Sequence, residues 1–502
     1  MEKKAIVTVE RDQAIGEISE NLWGSFLEHI GRAIYTGIYE PEHPLADEDG
    51  FRTDVLELVK ELQVPLVRYP GGNFVSGYRW QDGIGPKELR PKRLELAWQS
   101  IETNQVGIDD FAVWAGKAGC QVMPAVNMGT AQPQEAADLV EYCNFPGGTT
   151  LSDMRGRNGS KDPYGFKYWC IGNEMDGDWQ MCHMTSQEYG RKAHETIKMM
   201  KWIDPTIKVT VAGSSGVAMP TYPEWDRVVL EHTYEEADYL SLHQYYGFLA
   251  GRDQVKDYLH AYLNLDDFIR SIIAATDYVK ALKRSKKTMM LSLDEWNIWH
   301  NHIPNPPESR WREAPALLEN SYDVKDALLF SGLMMTMINH ADRIKIGCLA
   351  QLVNVIAPIL TAPGGGVIKQ TTYYPYLMGC RYARGTALRA EVRGECEETI
   401  YGDALPVYSA VAYREDTKEL AVFLLNPDPE SVELTLKLRQ FENLQQIEHF
   451  RFGAENLETR NTFADPEAAA MKRVDGERAY QKDDTVLLEG YSFHVIRYRE
   501  TA

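Results

Sequence analysis

Apolar residues recur along this chain in two rhythms. From about residue 20 to 385, short apolar runs alternate with stretches in which apolar positions return every three or four residues. The runs end near Leu27-Glu28, Val67-Arg68, Val126-Asn127, Asn173-Glu174, Ala212-Gly213, His243-Gln244, Asp294-Glu295 and Ala350-Gln351. Between them, Val55, Leu56, Val59 and Leu62 trace one helical face, and 186–202, 266–284 and 323–340 are longer helical stretches. Strand, helix, strand in steady alternation is the signature of a parallel sheet with crossover helices. Eight such units predict a closed α/β barrel of the (β/α)8, or TIM-barrel, type. An open dinucleotide-binding sheet would want Gly-x-Gly-x-x-Gly after its first strand, and that motif is absent.

After about Leu388 the rhythm shortens. Val432, Leu434, Leu436 and Leu438 alternate with polar neighbours, the period of a half-buried strand. Similar short strands are expected at 406–413, 419–425, 485–489 and 491–498, with the turn Asn426-Pro427-Asp428-Pro429 between two of them. This predicts a C-terminal antiparallel β-sandwich, jelly-roll-like. A first strand, Ala5 to Val9, precedes the barrel and is expected to pair with it. The domains are then a catalytic barrel over 19–384 and a sandwich made of 1–18 plus 385–502.

Composition narrows the function. Of 502 residues, 44% are hydrophobic and 25% charged, as in a soluble globular protein. The formal net charge of −20 is spread along the chain and repels phosphate backbones and anionic membranes, so nucleic acid and membrane are not expected partners. Met1 to Val9 carries two lysines but no apolar stretch long enough for a signal peptide, and no run of about 18 apolar residues appears elsewhere. Seven cysteines without a Cys-x-x-Cys pair read as free thiols in a reducing cytoplasm. Neither a phosphate-binding Gly-x-x-x-x-Gly-Lys-[Ser/Thr] loop nor a Gly-x-Ser-x-Gly nucleophile turn occurs. His300-Asn301-His302 lacks a carboxylate or cysteine partner for a metal, and no metal is expected.

Candidate chemistry gathers at the strand ends. Glu28, Arg68, Asn73, Asn127, Asn173, Glu174, His243, Tyr245, Glu295 and Gln351 lie at, or just past, the ends of apolar runs. In a barrel such positions open into one mouth built from the loops that follow the strands. Three of those loops, 71–91, 303–311 (with Pro304) and 361–366, are rich in Gly, Pro or aromatics. Taken singly, an Asn or Gln after a strand is an ordinary turn former or helix cap, and a lone His a packing residue. Together they form a hydrogen-bonding basin that suits a polyhydroxylated substrate. Two carboxyl groups, Glu174 and Glu295, facing each other across a sugar are what hydrolysis with retained configuration requires. Trp98 and Trp179 can stack on sugar faces or simply pack.

Four ordered motifs then carry a resemblance. Arg68-Tyr69-Pro70-Gly71-Gly72-Asn73, Gly172-Asn173-Glu174-Met175-Asp176-Gly177, Ser241-Leu242-His243-Gln244-Tyr245-Tyr246 and Asp294-Glu295-Trp296-Asn297 resemble those of family 51 glycoside hydrolases, the α-L-arabinofuranosidases of barrel clan A. The similarity runs from Gly24-Ser25-Phe26-Leu27-Glu28-His29 into the sandwich. It implies an exo-acting, retaining enzyme without cofactor, with Glu174 as acid/base ending strand four and Glu295 as nucleophile ending strand seven. Asn173 would bind the sugar 2-hydroxyl, Tyr245 would donate to Glu295, and His243 would orient the acid/base. Glu28, Asn73 and Gln351 would grip the remaining hydroxyls, and Arg68 would fix the nucleophile. The resemblance also implies a homo-oligomer, often a hexamer, acting on arabinofuranosyl oligosaccharides from arabinan or arabinoxylan; lacking a signal segment, the chain is expected in the cytoplasm.

One stretch departs from the family. Asn127-Met128-Gly129-Thr130-Ala131-Gln132-Pro133 stands where members often have Asn-x-Gly-Thr followed by Gly or Arg-Gly, which puts the neighbouring loop and the choice of leaving sugar in question. Two other readings stay open. A related hydrolase could use the same carboxylates on a β-xyloside or β-glucan, and a decayed barrel could bind carbohydrate without cleaving it. The presence of both carboxylates argues against decay.

Overall fold

The computed structural model describes residues 3–303, 305–476, 478–481 and 483–501. Met1 and Glu2 of the N-terminal stretch, and Pro304 of the 303–311 loop, lie outside the described residues. Eight parallel strands, Gly24–Phe26, Leu66–Tyr69, Gln121–Val126, Tyr168–Ile171, Lys208–Val211, Tyr239–Tyr246, Met290–Ile298 and Ile344–Ala350, close into a barrel in chain order. The eighth pairs with the first. They are called barrel strands one to eight below. Most expected strand ends fall within a few residues of the observed ones. Strands six and seven run further than expected, so His243 and Glu295 lie within strands rather than at their ends.

These strands are apolar on both faces because both are covered. Inside, Phe26, Leu66, Met123, Ala125, Cys170, Ile346 and Cys348 pack into a plug beneath the mouth. Outside, helices lay their apolar stripes on the barrel, as Thr53–Leu62 does with buried Val55, Leu56, Val59 and Leu62. Helix Ser186–Ile203 starts where Thr185 accepts the Glu188 N–H and the Glu188 carboxylate accepts the Thr185 N–H at 2.9 Å. Such a cap is worth about 1 kcal/mol. Helix Val324–Asn339 is buried all round. It lies between barrel and sheet, with Phe330 on Trp296 (ring centroids 4.8 Å) and Asn339 donating to the Ser409 carbonyl at 3.0 Å.

The second unit is one continuous, curled, mixed sheet of ten strands. Neighbour by neighbour it runs Lys472–Asp475, Leu444–Phe452, Ser492–Glu500, Glu419–Asn426, Tyr408–Arg414, Gly385–Gly394, Lys3–Ile18, Val432–Arg439 and Asp484–Leu488, with Arg478–Ala479 beside Leu444–Phe452. Val432, Leu434, Leu436 and Leu438 bury their alternating face with Val7, Val9, Val411 and Ile496. Ala410, Ala412, Phe423, Leu425 and Phe493 on the other face join the barrel's core. The first strand is longer than expected and pairs twice. It is antiparallel to Gly385–Gly394 and parallel to Val432–Arg439, so the sheet is not wholly antiparallel. A parallel neighbour needs a long crossover, and here the whole barrel supplies it. All seven cysteines are unpaired. Among the described residues no helix is long and apolar enough to cross a membrane.

Candidate active site

Local chain geometry aims the functional side chains. On strand six, Ser241, His243 and Tyr245 alternate onto one face. On strand seven a regular pleat would send Asp294 and Glu295 to opposite faces. The pairing slips there, between Ser292 and Glu295 on one side and between Leu293 and Trp296 on the other. Both carboxylates consequently reach Arg68 and His243 inside the barrel. Strand four ends at Ile171 in a turn where Gly172 (φ 81) and Glu174 (φ 46) are both left-handed. For a glutamate that conformation costs about 1–3 kcal/mol, the kind of strain that surrounding structure maintains at functional sites.

The two glutamates face each other with different partners. Glu295 Oε1 accepts from Arg68 Nη1 at 2.6 Å, and its Oε2 accepts from the Tyr245 hydroxyl at 2.6 Å. Glu174 Oε1 pairs with His243 Nδ1 at 2.9 Å, and its Oε2 accepts from the Trp179 indole at 2.7 Å. One oxygen of each carboxylate and a His243 nitrogen all lie within 4.8 Å of one another. So close an approach suits retaining glycosidases, whose carboxyl groups stand about 5–5.5 Å apart, better than inverting ones, which leave roughly 6.5–9.5 Å for a water. Burial pushes the Glu174 carboxyl above its ordinary range and the charge of Glu295 adds to the push; His243 and Trp179 oppose it without cancelling it. Burial and Glu295 likewise keep the Tyr245 phenol protonated as a donor. One carboxyl is biased toward keeping its proton while the other is gripped by a guanidinium and a phenol. That is the asymmetry an acid/base and nucleophile pair needs.

A cavity of about 490 Å³ opens over this pair. Glu28, Asn73, Trp98, Trp179, Tyr245 and Gln351 line it with Glu174 and Glu295. Glu28 Oε1 accepts from the Phe74 N–H and the Trp98 indole, both at 2.9 Å, and the Glu28 N–H donates to Gln351 Oε1 at 2.9 Å. Burial raises the Glu28 carboxyl to about 8 against those donors. Asn173 Oδ1 accepts from Arg68 Nη2 at 2.6 Å, and its amide donates to Asn73 Oδ1 at 3.2 Å.

Four expected residues sit elsewhere, Asn173 among them, buried between Arg68 and Asn73. Arg68 and His243 lie behind the carboxylates and do not line the cavity. The ring nitrogens of His243, expected as a substrate-binding or orienting residue, face Glu174 and Asp294. Asn127 closes the turn after strand three, donating to the Tyr78 carbonyl and the Thr130 hydroxyl, each at 2.9 Å. It lines a separate cavity of about 440 Å³ against helix Pro133–Asn144. Trp299, Ser215, Leu318, Val355 and Ile356 line the catalytic cavity without having been expected there. Two of them had a signal, Trp299 as an aromatic just past strand seven and Ser215 as a polar residue just past strand five; Trp299 meets the Tyr245 ring edge-on at 5.6 Å.

Among the described residues, Glu174, His243 and Glu295 form the one grouping with metal-like spacing. Both carboxylates are engaged by protein donors, His243 faces carboxyl groups at both ring nitrogens, and the Arg68 guanidinium beside Glu295 opposes a second cation, so the set fits acid–base work better than a metal cage. His300 accepts from the Phe248 N–H at 3.2 Å and faces Asp326 at 3.2 Å, a packing role.

Residues 58–258 match the α-L-arabinofuranosidase 1 domain and residues 294–492 the α-L-arabinofuranosidase C-terminal domain. The chain is 50% identical over 464 residues to the intracellular exo-α-(1→5)-L-arabinofuranosidase 1 of Bacillus subtilis (strain 168), covering 91% of this chain and 92% of that protein. It is 47% identical over 515 residues to the intracellular exo-α-(1→5)-L-arabinofuranosidase of Acetivibrio thermocellus, covering 99% of each. The solved structure of AbfB, a family 51 α-L-arabinofuranosidase from Bifidobacterium longum, superposes with a TM-score of 0.92 at 37% identity, covering 99% of this chain and 100% of that one.

Proposed function

The chain belongs to the α-L-arabinofuranosidases of glycoside hydrolase family 51, and from that premise we propose that Glu174 is its acid/base and Glu295 its nucleophile. It is an exo-acting α-L-arabinofuranosidase that releases terminal non-reducing α-L-arabinofuranosyl residues with retention. The observation that carries the assignment is the close approach of two carboxylates with unlike partners. In the first step a Glu295 oxygen bonds to the anomeric carbon while the glycosidic C–O bond breaks and Glu174 gives its proton to the departing oxygen. In the second, Glu174 takes a proton from water, whose oxygen bonds to the anomeric carbon as the ester to Glu295 breaks. Arg68 and Tyr245 hold the nucleophile, Asn173 meets the 2-hydroxyl, and Glu28, Asn73, Gln351, Trp98 and Trp179 hold the ring and its leaving sugar.

Finer points follow from the relatives' names and the surface. Short α-(1→5)-linked arabino-oligosaccharides are the preferred substrates, and the enzyme works in the cytoplasm, as the intracellular names of its relatives support. It assembles into a homo-oligomer, a hexamer by family resemblance. Leu89, Leu94 and Leu96, 77%, 62% and 61% exposed, offer apolar surface of the kind copies of a chain bury. The chain divides into a barrel at 19–384 and a sheet unit made of 1–18 plus 385–502. The switch from helix Tyr373–Tyr382 to strand Gly385–Gly394 supports that boundary.

Azide tests the roles. Glu174→Ala loses roughly 10²–10⁴-fold in kcat/KM on substrates with poor leaving groups and keeps more on good ones, where azide restores turnover and yields an arabinosyl azide of retained configuration. Glu295→Ala is nearly inactive throughout. If azide instead rescues Glu295→Ala to a retained product, the two roles are reversed. A higher kcat/KM on an aryl β-D-xyloside than on an aryl α-L-arabinofuranoside would overturn the substrate.

A further inference from the structure

Asp294 is a third buried carboxylate beneath the catalytic pair, 1% exposed, and the two steps above give it no task. Its Oδ1 accepts from the Ser241 hydroxyl and lies 3.5 Å from His243 Nε2. Its Oδ2 accepts from the Cys170 thiol at 3.6 Å and lies 3.7 Å from Arg68 Nε. On the far edge of the imidazole, His243 Nδ1 is 2.9 Å from Glu174 Oε1 and 3.6 Å from Glu295 Oε2. With carboxyl oxygens of Glu174 and Glu295 at one ring nitrogen and Asp294 at the other, the site favours a proton on each, an imidazolium. Other titratable or charged groups close to this cluster are Arg68 from strand two, Cys170 from strand four, Asp176 from the loop beyond it, Tyr189 from helix Ser186–Ile203, Tyr245 from the histidine's own strand and Cys348 from strand eight. Arg68 is the one cation among them, and its charge is met by Glu295 and Asp294.

We propose that Asp294 is a positioning residue that keeps His243 doubly protonated and aimed at Glu174, so that the acid/base works beside a fixed positive charge. The inference rests on Glu174 being the acid/base. When Glu174 hands its proton to the leaving oxygen, the carboxylate it becomes lies against the imidazolium, which stabilises that new charge in a water-poor site. No proton leaves His243, and Glu174 regains its own from the attacking water. Burial by itself would pull the imidazole down, yet Glu295, Asp294 and Glu174 together raise it to about 10. Burial would raise Asp294, and His243, Arg68 and Ser241 outweigh it and hold that carboxyl low. The slip in strand seven makes the third carboxylate available, since an unbroken pleat would turn Asp294 away from the barrel interior.

The full-length enzyme, labelled with 13C and 15N in histidine, tests this by NMR, with His243 identified by the signal lost in His243→Gln. In the unsubstituted enzyme both His243 ring nitrogens carry protons at about pH 7.5, well above the ordinary histidine range. Asp294→Asn keeps the shape and the Ser241 contact but removes the charge, and there one ring nitrogen loses its proton by the same pH. Turnover of an aryl α-L-arabinofuranoside with a good leaving group falls roughly tenfold or more in that variant, and azide, which needs no base, restores it. A neutral His243 ring in the unsubstituted enzyme overturns the proposal without any variant having to fold. So does an imidazolium that survives Asp294→Asn unchanged. Failure of azide to rescue Glu174→Ala strikes the acid/base assignment instead, whatever state His243 shows.

Discussion

The indole N–H of Trp98 donates to Glu28 Oε1 over 2.9 Å, coupling a loop aromatic to the carboxylate that follows barrel strand one. Glu95 secures the loop by accepting the N–H groups of Ala97 at 2.6 Å and Trp98 at 2.7 Å. Trp98→Phe keeps the ring's apolar face and deletes one hydrogen bond to the buried Glu28 carboxyl group, a loss of about 1–3 kcal/mol. KM for an aryl α-L-arabinofuranoside should rise roughly tenfold or more while kcat changes much less. Initial-rate kinetics read the split, and a loss confined to kcat would contradict a binding role.

Gly72 leaves no room for a side chain. A Cβ there would stand 2.5 Å from Glu28 Oε2 and 2.7 Å from its Cδ, closer than real atoms approach. At Gly71 the same addition meets Glu28 Cγ at 3.1 Å. Gly72→Ala should therefore displace Glu28 and cost roughly tenfold or more in kcat/KM, about 1.4 kcal/mol, with Gly71→Ala milder. Equal losses from the two variants would mean that Glu28 is not what the added methyl disturbs.

The alkaline limb of activity reports Glu174. The acid form is the active one, and burial and then Glu295 raise its pKa, so activity persists above the ordinary carboxylate range and is lost as pH climbs through the raised value. Trp179 favours the charged form by donating to Oε2 at 2.7 Å. Trp179→Phe should move that limb of the kcat/KM profile to higher pH. A limb that moves down would exclude Trp179 as the donor that tunes Glu174.

A second pH effect belongs to the sheet. His494 Nδ1 and His449 Nε2 are 2.9 Å apart and buried, with Glu489 at 3.5 Å from His494 Nε2 and Arg451 beyond it. Burial holds His494 below its ordinary value, and Arg451 adds to that against the pull of Glu489. The unfolded chain then binds a proton near pH 6.5 that the fold excludes. Stability from this site is complete above that pH and declines as pH falls below it, by up to about 1.4 kcal/mol per pH unit for one proton. Thermal unfolding followed from pH 7.5 to about 5.5 should show that slope, flatter in His494→Gln. An identical slope in the variant would assign the proton elsewhere.

The barrel was legible in the sequence because its strands are apolar on both faces and its helices on one, and the polar residues that break those runs are the ones that reach the cavity. Glu28, Asn73, Glu174, Glu295 and Gln351 were found that way. Leu318, Val355 and Ile356 come from irregular segments, where an apolar residue carries no periodicity to say what it faces. Asp294 was hidden differently. Next to Glu295 in an ordinary strand it would be an outward residue, and only the slipped register turns it inward. Strand Leu444–Phe452 escaped for the same reason, since its pairing shifts between Gln446 and Glu448 and the alternation loses its phase.

The strand Lys3–Ile18 sits between Gly385–Gly394 and Val432–Arg439, so the segment that leaves the ribosome early is held by partners translated several hundred residues later. Until they emerge it has no ladder on either edge, and the barrel must be made while its leading end waits. The finished sheet then works as a clasp, fastening the strand that precedes the catalytic barrel to strands that follow it. A tag or fusion placed directly against Lys3 would burden that final closure and not the chemistry.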